Sequence, residues 1–328
     1  MITTRLGLIG LGAIGKVHMN NCLHLQNAQL TAVADVSKKA LNLAKRAGVC
    51  TTYRDYHKLL EDPNVDAVII ALPTHLHAES AQAAAQAHKH ILLEKPLARN
   101  TQEGQQILDA ARKNNVKLMI GHPARFNQPY RQLKAKIESG ELGEIQIVYA
   151  TNVASGPFTH RAEADAPSPV PEWWWNPQLT GGGALIDLGS HMINLTRWLF
   201  GEVADAKAYL GHRFNLEMED HAVCTLKFKQ GQIGIINVGW FSQQNDVKIE
   251  VQGTAGHATT AHAPPSKIKT AIQLMLRRTP SFYLPYLAEV QHFVDCIQRD
   301  RQPKPSGLDG LKDLLVIEKA YQNSINLT

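Results

Sequence analysis

The sequence has few features of a secreted, membrane or nucleic-acid-binding protein. Its four cysteines, among 328 residues, are isolated and form no C-x-x-C pair, so neither a disulfide framework nor a thiolate zinc site is predicted. No stretch reaches about 18 apolar residues free of charge, the length a membrane span needs. Lysine and arginine are scattered, and the formal net charge is only +5. We therefore expect a cytoplasmic protein without a membrane or nucleic-acid partner.

The N-terminal third alternates short apolar runs with helical patterns. Strands are predicted at 5–10, 29–35, 67–72, 90–93 and 117–120, and helices at 13–26, 37–47, 78–88 and 101–113. This alternation is typical of a doubly wound parallel sheet, the Rossmann architecture, covered by helices. A chain of this length holds roughly two domains. We place the first at residues 1–121.

After Gly121 the pattern changes to strand-like runs at 144–152, 221–229, 232–241 and 246–252. They predict an α/β domain with an open, mainly antiparallel sheet over residues 122–328. Helices are predicted at 284–298 and 308–322, and these final helices are expected to return toward the first domain. Two inserts interrupt the pattern, a Trp- and Pro-rich loop at 155–177 and a basic stretch at 262–280, the latter interpreted as a surface helix.

A glycine-rich motif directly follows the first predicted strand. Gly10, Gly12 and Gly15 form G-x-G-x-x-G, in which the glycines permit a tight turn, close approach of a pyrophosphate and close packing of helix on strand. Ala13 and Ile14 begin the following helix, whose free amide groups face an anion. The motif predicts dinucleotide binding.

An acidic residue follows the motif at the expected distance. Asp35 lies 20 residues after Gly15, at the end of the second predicted strand. A carboxylate there accepts hydrogen bonds from ribose hydroxyls and repels a 2′-phosphate. NAD is therefore favoured over NADP, although Lys38 and Lys39 follow closely and would tolerate a phosphate.

Four stretches of the sequence resemble the Gfo/Idh/MocA family, named after glucose-fructose oxidoreductase and inositol dehydrogenase. They are GLIGLGAIGKVH from Gly7, LPTHLHAE from Leu72, EKPLA from Glu94 and GGGALIDLGSH from Gly181. The resemblance implies a Rossmann domain joined to an α/β domain whose open sheet forms a homodimer or homotetramer. It also implies oxidation of a secondary hydroxyl of a cyclic polyol, sugar or sugar derivative.

The resemblance also assigns site residues. Lys95 of E-K-P matches the family's active-site lysine, Glu94 its acidic partner, and Asp187 with His191 the family's D-x-x-x-H pair. With the loop after the third long strand added, the cofactor set is Gly10, Gly12, Ala13, Ile14, Gly15, Asp35, Leu72, Pro73, Thr74, His77, Glu94 and Lys95. Arg125, just past the last predicted Rossmann strand, and Trp174 of the tryptophan-rich loop complete a substrate set with Lys95, Asp187 and His191.

The chemistry of these side chains suits hydride transfer from an alcohol. His191 is the candidate base, because imidazole titrates near neutral pH. Asp187, four residues earlier on one predicted helix, would orient the ring. Lys95 would stabilise the developing alkoxide and share in the proton transfer. A packing histidine and a solvated lysine are the plain alternatives.

Other residues leave alternatives open. Trp173, Trp174 and Trp175 would form either an aromatic wall against a sugar ring or an anchor for their loop. Arg125 is placed near a ligand, Trp240 in the core. The two H-x-H pairs lack an accompanying ligand cluster, so no metal is expected. Two other functions remain, a glycosidase that oxidises its substrate transiently with bound NAD and a dinucleotide sensor without turnover.

Overall fold

The computed structural model describes residues 3–157, 170–261 and 283–327. Contacts divide the chain into two units. The first contains residues 1–98, 102–126 and 265–311, and the second contains residues 99–101, 127–264 and 312–328. The predicted insert at 262–280 lies outside the described residues, as does the part of the tryptophan-rich loop at 158–169. The predicted division at residue 121 stays a prediction.

The first unit contains a six-stranded parallel sheet. Its strands are β1 (Thr4–Ile9), β2 (Ala28–Ala34), β3 (Thr51–Tyr53), β4 (Ala67–Ile70), β5 (His90–Glu94) and β6 (Leu118–Gly121), in the order β3-β2-β1-β4-β5-β6. The accompanying helices are α1 (Ala13–Cys22), α2 (Lys38–Arg46), α3 (Tyr56–Leu60), α4 (His77–Gln86) and α5 (Thr101–Lys113). The predicted Rossmann sheet is confirmed.

The apolar runs become strands of this sheet because both of its faces are covered. Leu6, Leu8, Val33, Ile69 and Leu92 are at most 1% exposed and belong to one core cluster. Each such side chain contributes about 1.5–3 kcal/mol on burial. Near-continuous apolar strands are the pattern of a parallel sheet buried on both sides.

The second unit contains a seven-stranded mixed sheet. Its elements are α6 (Gln128–Glu138), β7 (Ile145–Val153), α7 (Pro177–Thr180), α8 (Ala184–Asp187), α9 (Gly189–Phe200), β8 (Val203–Gly211), β9 (His221–Phe228), β10 (Ile233–Gly239), β11 (Asp246–Gly253) and β12 (His257–Ala261). With β13 (Ile325–Asn326) the strand order is β12-β11-β7-β10-β9-β8-β13. Only the β7–β10 and β8–β13 pairs are parallel, so the sheet is mainly antiparallel, as predicted.

The two C-terminal helices are α10 (Leu284–Gln298) and α11 (Gly307–Gln322), close to the predicted bounds. Within the first unit, α10 packs on α1 and buries Val290, Phe293 and Val294 in the same core cluster as the strands. Among the described residues, no helix is both long and apolar enough to cross a membrane.

One local prediction is wrong. Asp187 and His191 were expected on one continuous helix, but Asp187 ends α8 and His191 lies in α9, with Leu188 between the two helices. The glycines at both ends explain the short elements, because Gly183 precedes α8 and Gly189 begins α9, and glycine supports a helix poorly. Leu188 keeps a right-handed helical conformation and its N–H donates to the carbonyl oxygen of Ala184, so the interruption is one residue long.

Candidate active site

The carboxyl ends of the parallel strands bring the predicted cofactor residues to one edge of the first sheet. Gly10 directly follows β1 and Asp35 follows β2. Leu72 comes shortly after β4, and Glu94 ends β5 with Lys95 next in the chain. In open α/β sheets, ligands bind outside these strand ends. The edge is therefore the candidate cofactor site of this unit.

The glycine turn requires glycine at two of its three positions. Gly10 has φ +93°, a left-handed conformation, and a Cβ there would collide with the carbonyl oxygen of Ala71. A Cβ on Gly15 would collide with the carbonyl oxygen of Gly10. These two residues let strand and helix approach closely. Close contacts with backbone carbonyl oxygens therefore require glycine at Gly10 and Gly15.

The N-terminus of α1 fits a pyrophosphate. Gly12 is its N-cap and has no side chain to accept from the first helical amide groups. A Cβ on Gly12 would meet nothing within 4 Å, and both Gly12 and Ala13 are exposed. The helix dipole and the amide groups of Ala13 and Ile14 are therefore open to an anion.

Asp35 is held at this edge by two backbone amide groups. Leu11 N donates to its Oδ2 at 2.7 Å, and Ser37 N donates to its Oδ1, also at 2.7 Å. The first bond ties the glycine turn to the end of β2. Each carboxylate oxygen keeps a second acceptor position. The carboxylate is thus oriented beside the turn and still able to accept from ribose hydroxyls.

The loop after β4 contains Leu72, Pro73 and Thr74, all partly exposed, and then His77 at the start of α4. His77 is only 1% exposed, and its two ring nitrogens lie 2.9 Å from the carbonyl oxygens of Leu72 and Pro96. Burial lowers its pKa, although the backbone hydrogen bonds oppose this shift. The His77 ring therefore connects the loop at Leu72 to the segment at Pro96. Its predicted cofactor contact stays a prediction.

Glu94 has its carboxylate directed into the first unit. Its Oε1 lies 2.6 Å from His18 Nε2, and its Oε2 accepts from the backbone amide of Lys95 at 3.2 Å. Burial raises the pKa of Glu94, but its interactions with His18 and Lys95 together outweigh burial and leave the pKa lowered. This contact of His18 was not predicted from the sequence, because His18 is marked there only by its position three residues after Gly15.

In the second unit, Asp187 is bound by a tryptophan. Trp240 Nε1 donates to Asp187 Oδ2 at 3.2 Å, while the Trp240 side chain is 1% exposed. The Trp174 ring packs on Trp240 with centroids 5.0 Å apart. Trp240 was assigned to the core alone. Its burial is confirmed, but it also orients a predicted catalytic carboxylate.

A buried glutamate holds the segment that leads to Asp187. Glu219 accepts from the backbone amides of Gly183 and Leu185, the latter at 2.9 Å, and from the Tyr321 hydroxyl at 2.7 Å. Burial raises the pKa of Glu219 despite these bonds. The carboxylate thus supplies the acceptor that the N-terminus of the short helix α8 lacks. No motif around Glu219 predicts this role.

The helix that contains His191 is fixed by a buried ion pair. Arg197 pairs with Asp313, and Asn194 Nδ2 donates to the same carboxylate at 2.6 Å. All three side chains are buried. Because an unpaired buried charge is costly, this pairing keeps α9 in one position. His191 itself is partly exposed on this helix.

Arg125 was predicted to contact substrate, yet it is only 8% exposed. It lies in a short 3-10 turn after β6, and its Nη2 is 3.9 Å from Asp309 Oδ1, within the first unit. This ion pair gives it a structural partner. Its substrate contact stays a prediction.

These features define an α/β protein with a dinucleotide-binding turn and, in a second unit, a histidine and a carboxylate suited to proton transfer. The family model described as an oxidoreductase family with an NAD-binding Rossmann fold matches residues 4–122, and the Gfo/Idh/MocA C-terminal domain model matches residues 130–259. The chain belongs to the Gfo/Idh/MocA family, and its first unit contains the NAD-binding domain.

The relatives extend over nearly the whole chain. Myo-inositol 2-dehydrogenase of Thermotoga maritima is 29% identical over 327 residues, covering 95% of this chain and 93% of the relative. Scyllo-inositol 2-dehydrogenase (NAD(+)) of Bacillus subtilis is 29% identical over 333 residues, covering 95% and 91%. A crystal structure of a probable dehydrogenase from Thermotoga maritima has a TM-score of 0.83 at 29% identity, covering 97% and 96%.

Proposed function

We propose that this protein is an NAD-dependent dehydrogenase that oxidises a secondary hydroxyl of a cyclic polyol, sugar or sugar derivative. The observation that carries the proposal is the shared sheet edge, where the glycine turn, Asp35 and the E-K-P lysine follow β1, β2 and β5 of one parallel sheet. The names of the inositol dehydrogenase relatives support the polyol class.

The residues at this edge would hold NAD, which supplies the hydride acceptor when bound. The amide groups at the start of α1 would bind its pyrophosphate, and Asp35 its adenosine ribose. The loop from Leu72 to Thr74 would line the nicotinamide side. This assignment rests on the open surface at Gly12 and on the fixed carboxylate beside it.

Proton transfer is assigned to three side chains. His191 accepts the hydroxyl proton, since a neutral imidazole is a base near neutral pH. Asp187 stabilises the resulting imidazolium and is itself oriented by Trp240. Lys95 donates a hydrogen bond to the reacting oxygen, where negative charge develops. In the reverse direction, the same groups return the proton to the alkoxide.

The test is NADH production, followed by absorbance, across inositols, aldoses, sugar acids and nucleotide sugars. Accumulation of NADH with at least one polyol or sugar is expected. Cleavage of a glycoside without net NADH would instead identify a glycosidase. Binding of NAD with no turnover on any member would favour a dinucleotide sensor, although such a protein has no need of a proton-transfer set.

Asp35 is predicted to determine cofactor choice. Replacing Asp35 by Ala should weaken NAD about tenfold to a hundredfold, the cost of losing hydrogen bonds to a charged acceptor, and should weaken NADP much less. The measurement is the Kd of both cofactors by calorimetry. Equal weakening of both would mean that Asp35 only holds Leu11 and Ser37. Unchanged NAD affinity would contradict the ribose assignment.

Trp240 is predicted to act through Asp187. Trp240→Phe removes the N–H donor but keeps an aromatic ring in the core, so kcat should fall about tenfold, as expected for a lost hydrogen bond to a charged group. The KM for NAD should stay unchanged. Trp198→Phe is the matched control, because it makes the same substitution at a tryptophan whose ring packs against Lys134. A Trp240→Phe protein that folds and keeps the full kcat would exclude this positioning role.

We further propose that copies of this chain associate as a dimer or tetramer through the outer face of the second sheet. Ile233 lies opposite Ile147, and Val223 opposite Tyr209, on the face whose residues alternate with the buried ones along β9 and β10. Ile233 and Val223 are 50% and 40% exposed, an apolar face that a second copy would cover. Light scattering should give two or four times the mass of one chain.

We also place the protein in the cytoplasm. Its four cysteines are free thiols, three of them buried, which suits a reducing compartment. Fractionation of cells that express the tagged protein tests this placement.

A further inference from the structure

A cluster of three buried ionisable side chains in the first unit includes Glu94, the residue before Lys95. His18 comes from α1, Glu94 from the end of β5, and Glu289 from α10. His18 and Glu289 are fully buried, and Glu94 is 7% exposed. One nitrogen or oxygen atom of each side chain lies within 4.8 Å of those of the other two. None of these three side chains takes part in the proton transfer proposed above, which uses the neighbouring Lys95 together with Asp187 and His191.

The two carboxylates of this cluster have different surroundings. His18 Nε2 lies 2.6 Å from Glu94 Oε1, within hydrogen-bond distance, while His18 Nδ1 is buried without a hydrogen-bond partner among the described residues. Neither carboxylate oxygen of Glu289 has a hydrogen-bond partner of normal geometry among the described residues, and the His122 main chain stabilises its charged form only in part. A second buried carboxylate without a partner would cost several kcal/mol, whereas a neutral acid avoids this cost.

The surroundings agree with a neutral Glu289. Burial raises its pKa well above the ordinary value, and the charge of Glu94 raises it further. The His122 main chain offsets only part of this rise. The other titratable groups around the cluster are Lys95, which acts on Glu94, and Tyr286 with its neighbour Tyr283.

The carboxylate of Glu94 is held in place on several sides. His18 binds one oxygen, and the Lys95 amide donates to the other. Gly121 of β6 leaves room for this carboxylate, because a Cβ there would come within 3.1–3.2 Å of the carboxylate atoms. The peptide that leads into Lys95 is therefore bound by a carboxylate whose other oxygen contacts His18.

We propose that His18, Glu94 and Glu289 form a buried unit of hydrogen-bonded imidazole, carboxylate and neutral carboxylic acid that positions Lys95. This inference rests on the proposed role of Lys95. The Glu94 carboxylate binds the Lys95 backbone amide, and His18 contacts the other oxygen of that carboxylate. Glu289, when neutral, lies beside them without adding a second buried negative charge. The three residues are positioning residues, since none is assigned a contact with substrate.

The first experiment measures the protonation of Glu289 without any substrate. Glutamine is isosteric with a neutral glutamic acid, so Glu289→Gln keeps the shape and removes the titration. A carboxyl whose pKa is raised in the folded state stabilises the protein below its unfolded pKa of about 4.3, and this contribution is lost as pH rises. The Tm of the wild type should therefore fall relative to that of the variant from pH 5 to pH 8.

The matched control is Glu217→Gln, which changes an exposed glutamate. Its Tm should differ from the wild-type Tm by the same amount at every pH. If the Tm of Glu289→Gln also differs from the wild-type Tm by the same amount at every pH, the proposal that Glu289 is a neutral acid is overturned. If the variant does not fold, infrared spectroscopy of the wild type at pH 7 replaces it, and absence of a buried protonated carboxyl band would overturn the proposal equally.

The second experiment tests positioning. His18→Leu removes the donor to Glu94 and should lower kcat about a hundredfold, the cost of misplacing a catalytic group by about 1 Å. The Kd of NAD should change little. His18→Gln keeps a donor and should recover part of the lost kcat. A folded His18→Leu protein with wild-type kcat would contradict positioning, whereas loss of the proposed function would leave the Tm result untouched.

Discussion

Replacement of Lys95 by methionine is expected to lower kcat about 10²–10³-fold, the effect of removing one donor to a developing oxyanion. Methionine keeps an unbranched side chain, so the packing after the Glu94 peptide changes little. The defect should appear in kcat with every polyol or sugar that the wild type oxidises. Stopped-flow measurement of NADH formation separates this chemical step from product release.

The control for Lys95 is Lys113→Met in the last turn of α5, where the side chain is exposed. This variant should match the wild type in kcat and Tm. The Kd of NAD should be nearly the same for both variants, because the cofactor is assigned mainly to the glycine turn and Asp35. A Lys95→Met enzyme with full turnover would remove the lysine from the mechanism.

Replacement of His191 by asparagine should lower kcat about 10²–10⁴-fold, the range for loss of a general base. Asparagine is close in size and polar, so α9 should persist, held as before by the Arg197–Asp313 pair. NAD should still bind, because His191 belongs to the second unit and the glycine turn to the first. Steady-state kinetics over pH 6–10 provide the measurement.

Two variants make the His191 result specific. Asp187→Asn should also reduce kcat, because an amide no longer stabilises an imidazolium. His212→Asn changes an exposed histidine between β8 and β9 and should leave turnover intact. If His191→Asn proves as active as His212→Asn, the base must be another group.

The first sheet was predictable because its signals are local. Apolar runs mark its long strands, and glycines mark the turn after β1. β3 and α3 were missed, since the polar strand Thr51–Tyr53 has no apolar run and α3 has only five residues. Helix α1 ends at Cys22 and not at residue 26 as predicted. Just after Cys22, the N–H of His24 donates to the carbonyl oxygen of Asn21, three residues earlier, and this bond closes the helix. Element ends depend on such single bonds.

The second unit was less predictable. β8 was missed because exposed and buried residues alternate imperfectly along it. The break at Leu188 was missed because spacing cannot distinguish one helix from two short ones. Its parallel β7–β10 pair joins strands that are far apart in sequence, and strand pairing at such distances is set by the packing of the whole sheet.

The sequence by itself determined the glycine turn, Asp35 and the E-K-P segment, because a left-handed backbone and the residues after a strand are properties of short stretches. Only the tertiary structure decided which buried groups support them. Trp240 reaches Asp187 across 53 residues, and His18 reaches Glu94 across 76. Hydrogen bonds and charge compensation between distant residues depend on where the folded elements bring their side chains, and no periodicity in the sequence specifies that.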